Sequence, residues 1–173
     1  MKKYILPGFM TAIPTCLSTL ISNGFYEKLI GSSYMFLIGI IHFFASFFIM
    51  YYFVKKFKVA EGGNIVFKKA FGYTFKVVLS WSFFTLIVSY IYAITNKELL
   101  EKIARSSIEI QKQRILSNSG SIPAAQMKVY DQMFEMQSNP LYHTFMSFIA
   151  IIFIGTLFSL IISAIVKTKA TEA

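Results

Sequence analysis

Four stretches of the chain are almost wholly apolar, 4–22, 34–54, 77–94 and 141–166. A helix needs about 20 such residues to cross the hydrocarbon of a bilayer, so each predicts a membrane span. Ser, Thr and Gly interrupt them, which helices in lipid tolerate when neighbouring helices cover the polar groups. Two segments break the pattern. "KKFKVAEGGNIVFKKAFGYTFK" (55–76) carries six lysines against one acid. Gly62-Gly63 predicts a break after the second span, with a helix opening near Asn64, a good capping type. From there Phe67, Phe71, Phe75 and Val78 fall on one face, and Lys68, Lys69 and Lys76 on the other, the pattern of an interfacial lead-in.

The second segment, 95–140, is the sizeable polar part. "NKELLEKIARSSIEIQKQRILSNSG" has Leu100, Ile103, Ala104, Ser107, Ile108, Gln111 and Ile115 at helical spacing, a half-apolar stripe. Asn118–Gly120 is a turn signal. Ser121 and Pro123 open a second helix, with Met127, Tyr130, Met133, Phe134 and Gln137 on one face. Asn139-Pro140 restarts the chain into the last span. Neither Gly nor Pro occurs between Tyr73 and Ser119, so the third span is expected to continue as one rod to about Leu116. The chain is therefore expected to be all-α. It would be a single integral membrane domain over 1–173, a four-helix transmembrane bundle with an extracytoplasmic hairpin (95–140) between the third and fourth spans.

Composition supports this. Mean hydropathy is +0.59 and only 14% of residues are charged, against roughly a quarter in a soluble domain. Lys2 and Lys3 before the first apolar run resemble the start of a secretory signal, but no small-residue cleavage pattern follows, so the span is expected to be retained. Cys16 is the sole cysteine, which excludes an internal disulfide and fits a small packing residue.

Charge sets the threading. Alternation of four spans places both termini and 55–76 on one side, where ten bases meet two acids, a net +8. The other side holds seven bases and six acids, a net +1. Lys and Arg flanking spans stay cytoplasmic, so both termini are expected on the cytoplasmic side. The basic charge is thus topology rather than a nucleic-acid footprint. Lys55, Lys56, Lys58, Lys68, Lys69 and Lys76 become candidate contacts to anionic headgroups, each worth about 1 kcal/mol near such a leaflet. Nine of the ten tyrosines lie near span ends, where an amphipathic ring straddles lipid and water.

Candidate chemistry is sparse. Ionisable groups in spans mark transport or proton relay, and His42 is the one deep in a span. With Gly39 and Ser46 it shares a helical face, so His42 and Ser46 form a candidate intramembrane polar site. A hydrogen bond to a neighbouring helix is the simpler reading, with His143 leaving a remote metal option. Every span carries small or hydroxyl residues. Thr11, Thr15, Ser18 and Ser22 mark the first, Ser82, Thr85 and Ser89 the third. Gly155, Ser159 and Ser163 form a small-xxx-small stripe for close helix packing. Pro7 and Pro14 are expected to bend or loosen the first helix. Met127, Met133 and Met136 suit packing or an adaptable partner face better than copper(I), since no Cys or His stands among them. No nucleophile–base pair, paired acids or metal motif appears, so neither catalysis nor a cofactor is expected.

The runs "EGGNIVFKKAF", "SNPLYHTFMSF" and "SLIISAIVKTK" resemble an uncharacterised bacterial membrane family, domain of unknown function 4199, along essentially the whole chain. That resemblance implies a four-span bacterial inner-membrane protein and supplies no activity. The expected role is structural or interactive through the hairpin, with lipids, a protein partner there and further copies of the chain as the partners open to it. The alternative is a small transporter or pore with a polar path near His42.

Overall fold

The computed structural model describes residues 2–26 and 33–168. Glu27, Lys28, Lys169 and Glu172, which entered the charge count, lie outside them. Among the described residues there are six helices and no strands: α1 (Lys2–Gly24), α2 (Ser33–Ala60), α3 (Phe67–Thr95), α4 (Lys97–Ser119), α5 (Ala124–Ser138) and α6 (Pro140–Val166). α1, α2, α3 and α6 are long and apolar enough to cross a membrane. The chain divides into two compact units, residues 1–87 with 148–173, and residues 88–147.

In the first unit the helices alternate in direction. Ser46 of α2 meets Thr11 of α1 and His42 meets Ser18, an antiparallel register. Thr74 of α3 meets Ser163 of α6 while Val78 abuts Gly155, again antiparallel. α1 and α3 run parallel, with Tyr4 beside Tyr73 and Phe9 beside Phe84. The core gathers Met50, Val54, Val77, Val78, Trp81, Phe158 and Ile162 from three helices. α1 contributes Ala12 and runs unbroken through Pro7 and Pro14. Proline removes an N–H and so frees the carbonyl four residues back. For Pro7 that is Lys3, whose carbonyl accepts from the Tyr73 hydroxyl at 3.4 Å.

Two glycines set how close these helices come. A Cβ on Gly8 would lie 2.9 Å from the Trp81 backbone nitrogen and 3.0 Å from the Ser80 carbonyl carbon. One on Gly155 would lie 2.5 Å from Val78 Cγ1. The break after α2 falls where glycine predicts it, with Gly62 and Gly63 at φ 81° and 84°, a region L side chains avoid. α3 opens at Phe67, three residues later than the capping signal at Asn64 suggests. The aromatic lead-in forms the first turns of α3. Its 29 residues span about 43 Å at 1.5 Å per residue, more than the roughly 30 Å of hydrocarbon.

In the second unit α4 and α5 pack as a hairpin. Leu100, Ala104, Ile108 and Tyr130 are buried there, and the Arg105 guanidinium lies over the Phe134 ring at 4.8 Å. Gly120 closes α4 in the left-handed region, its N–H on the Leu116 carbonyl at 2.9 Å. Asn139 caps α6 by accepting from the Leu141 N–H at 2.9 Å, with Pro140 in the first helical position. The expected rod is overturned. α3 ends at Thr95, and Asn96 leaves helical geometry at φ −124°, ψ 48° before α4 begins. The Thr95 hydroxyl donates to the Ile91 carbonyl at 2.8 Å and the Asn96 amide donates to the Tyr92 carbonyl at 3.1 Å. The Tyr92 carbonyl also accepts the Asn96 N–H at 3.0 Å, so these side-chain bonds are added to the last rungs of the α3 ladder and compete locally with its extension.

Candidate functional site

The end of the first unit where α1 and α3 begin and α2 and α6 finish collects the basic residues, and most of them have partners within the protein. Lys58 donates to the carbonyl of Val166 at 2.9 Å. That carbonyl ends α6, where the helix leaves acceptors unsatisfied and favours a cation. Thr168 donates its N–H to the Ile65 carbonyl at 2.9 Å, and its hydroxyl accepts from the Ile65 N–H at 3.0 Å. The turn after α2 is thus sewn to the end of α6. Lys69 pairs with Glu61. Lys55, Lys56 and Lys76 stand over the rings of Tyr51, Tyr52 and Tyr4 at 5.4, 4.7 and 4.9 Å. Lys68 is exposed.

Tyr73 anchors this collar, although its place near a span end suggests an interfacial ring. It is 7% exposed and stacks on Phe57 with centroids 4.0 Å apart and planes 6° from parallel. The open flank beside that stack is a cleft of about 350 Å³ reached by Lys3 and Lys56.

Deeper in the same unit, hydroxyls line the contacts between helices. Ser46 is fully buried and donates to the Thr11 carbonyl at 3.3 Å. His42 is half-buried, its Nδ1 3.4 Å from Ser18 Oγ. Trp81 Nε1 donates to Thr15 Oγ1 at 3.2 Å. His42 and Ser46 thus share a face but meet different partners on α1. The small-residue stripe lies against α3: Gly155 at Val78, Ser163 Oγ 3.2 Å from Thr74 Oγ1, and Ser159 donating back to the Gly155 carbonyl at 2.8 Å. Among the described residues Thr85 Oγ1 is the buried side-chain polar atom with no oxygen or nitrogen partner, the weak Cys16 thiol being its neighbour. No group of three His, Cys, Asp or Glu close enough to share a metal occurs among them.

The second unit offers two shallow recesses. One, of about 390 Å³, mixes Arg105 and Lys112 with Glu109, Asp131 and Glu135. Lys112 there stands over the Tyr130 ring at 5.3 Å. The other, of about 310 Å³, places His143 with Ser107, Gln137 and Tyr142 against an apolar wall. Of the three methionines, Met133 is half-buried, while Met127 and Met136 are 42% and 47% exposed.

Sequence spacing places the break at Gly62-Gly63 and groups the small residues of α6 that lie against α3. It misses the clamp between Ile65 and Thr168, the cap from Lys58 to Val166 and the burial of Tyr73. Each of these joins residues far apart along the chain, and no local pattern announces them. No curated protein and no solved structure matches the chain. The family described as "Protein of unknown function (DUF4199)" matches residues 6–168, nearly the whole length, and the chain belongs to it.

Proposed function

We propose that this is a non-enzymatic integral protein of the bacterial inner membrane, with both termini cytoplasmic, which presents the α4–α5 hairpin to a partner on the opposite side. The observation that carries the reading is the exposed face of α5. Val129 and Met136, seven residues apart and so on one helical face, are 51% and 47% exposed. They lie on the helix whose Tyr130 is buried, and methionine suits an adaptable contact surface. The asymmetry of +8 against +1 supports the orientation.

Single cysteines on a Cys16→Ser background test it. A membrane-impermeant maleimide added to intact spheroplasts should label Lys112→Cys and should reach Lys68→Cys only after permeabilisation. The reverse pattern would invert the topology. A photo-crosslinker at Met136 should then capture one reproducible partner from native membranes, and loss of capture in Val129→Asp would map it to this face.

A small transporter or pore is the second reading, favoured by the contact of His42 with Ser18 between α1 and α2. It requires proton or solute flux in proteoliposomes that falls in His42→Gln, which keeps hydrogen-bonding capacity but cannot carry the charge. Under the first reading vesicles with and without protein leak alike.

A further inference from the structure

The cleft beside the collar has a vertical order that matches one class of molecule. Lys3 on α1 and Lys56 on α2 stand at its rim. Leu6 lies one turn into the bundle from Lys3, and Phe53 one turn in from Lys56, each about 5 Å deeper. Both walls therefore read cation first and apolar side chain next, in the direction a lipid enters from its headgroup. The stacked rings of Phe57 and Tyr73 complete the apolar lining. The acid in the cleft, Glu61, is engaged by Lys69, so the rim keeps the two charges of Lys3 and Lys56.

From this geometry we propose that the cleft is a specific site for one anionic phospholipid of the bilayer. Its phosphodiester lies between Lys3 and Lys56 and the first part of an acyl chain runs along Leu6 and Phe53. A zwitterionic headgroup would bring its own ammonium against two lysines and is disfavoured. Soluble phosphate lacks the chain that the second layer of the cleft meets. The inference rests on the membrane part of the proposed function and is independent of the hairpin's partner.

The test is native mass spectrometry of the full chain in a non-ionic detergent, titrated with dioleoyl phosphatidylglycerol or dioleoyl phosphatidylcholine. One bound phosphatidylglycerol is expected, preferred over phosphatidylcholine by roughly thirtyfold, the scale of two lysines at about 1 kcal/mol each near an anionic lipid. K3Q/K56Q should abolish the preference, K3R/K56R should keep it, and K68Q should leave it unchanged. Retention of the preference in K3Q/K56Q, or equal retention of both lipids by the wild-type chain, overturns the proposal. So does displacement of the lipid by glycerol phosphate at equal concentration, which would make the cleft a soluble-anion site. Resistance of the protein to carbonate extraction from native membranes, measured on the same preparations, separates failure of the lipid site from failure of the membrane reading.

Discussion

The two units differ in what they bury beside apolar side chains: the first adds many hydroxyls to its core of Met50, Val54, Val77, Val78 and Ile162, and the hairpin of the second does not. In the first, Thr11, Ser46, Thr74, Ser82, Ser159 and Ser163 are fully buried, while Phe36, Ile41, Phe48 and Phe153 are 60–73% exposed. In the hairpin of the second, Leu100, Ala104, Ile108 and Tyr130 are buried, and Glu101, Arg105, Glu109, Arg114, Asp131 and Glu135 are exposed. Water drives apolar area inward at about 25 cal/mol per Å², and the hairpin obeys it. Hydrocarbon supplies no such drive between helices, so close approach and hydrogen bonds between hydroxyls and carbonyls take over. The first unit adds such contacts to its apolar core and leaves large apolar side chains outside, a pattern that fits helices long and apolar enough to cross a membrane.

The largest expected effect comes from breaking each region by its own rule. Gly8→Ala places a methyl against the Ser80–Trp81 backbone, which cannot rotate aside, so α1 and α3 must separate. We expect a loss of about 3 kcal/mol, the upper part of the overpacking range. It should appear as a large drop in the thermal midpoint in detergent, followed by the fluorescence of Trp81. Gly155→Ala, whose nearest neighbours are atoms of the Val78 side chain, should cost less. In the hairpin the equivalent injury is a cavity. Ile108→Ala should cost about 2 kcal/mol locally, read as faster hydrogen exchange across 100–138 with α2 amides unchanged. Equal tolerance of Gly8→Ala and Gly155→Ala would remove the close-packing argument for the first unit.

How much of this was legible from sequence follows the same division. Hydrophobic runs found the four long helices, and helical spacing found the stripe of Leu100, Ala104 and Ile108, because both report one-dimensional periodicity. Gly62-Gly63, Gly120 and Asn139-Pro140 were readable because their backbone requirements are local. What escaped was set by residues distant in sequence. Lys58 is separated by 108 residues from the carbonyl it caps, and Gly8 matters only because Ser80 lies against it. The candidate sites were legible as residue types, since the lysines of 55–76 were visible. The pairing of Lys3 with Lys56 across one cleft was not, because it depends on α1 beginning beside the end of α2.

A smaller effect sharpens the comparison inside the first unit. Among the described residues its buried hydroxyls have oxygen or nitrogen partners except for Thr85, which has the weak Cys16 thiol beside it. Thr85→Val keeps the shape and removes a weakly partnered group, where a wholly unsatisfied one costs about 1–3 kcal/mol. A gain of about 1 kcal/mol in detergent is expected, with the thermal midpoint rising. A fall instead would mean that the hydroxyl is already satisfied, by the Cys16 thiol or by a partner from outside the monomer, and Cys16→Ala would tell the two apart.

The smallest effect concerns the single residue between α3 and α4. The first backbone bond of α4 runs from the Leu100 N–H to the Asn96 carbonyl at 3.1 Å, so the amides of Lys97, Glu98 and Leu99 precede its ladder. Asn96 caps none of them with its side chain. It turns back to the Tyr92 carbonyl and to Thr95 Oγ1. If that backward bonding makes the break, Asn96→Ala should remove it and gain up to about 0.7 kcal/mol of helix propensity. α3 and α4 would then fuse, and the three amides should exchange several-fold more slowly while Leu100 and later amides stay unchanged. Unchanged exchange at Lys97, Glu98 and Leu99 would show that packing of the hairpin imposes the break and that Asn96 merely accommodates it. The continuous helix that sequence periodicity favours is then one substitution away in the first case, and forbidden by the fold in the second.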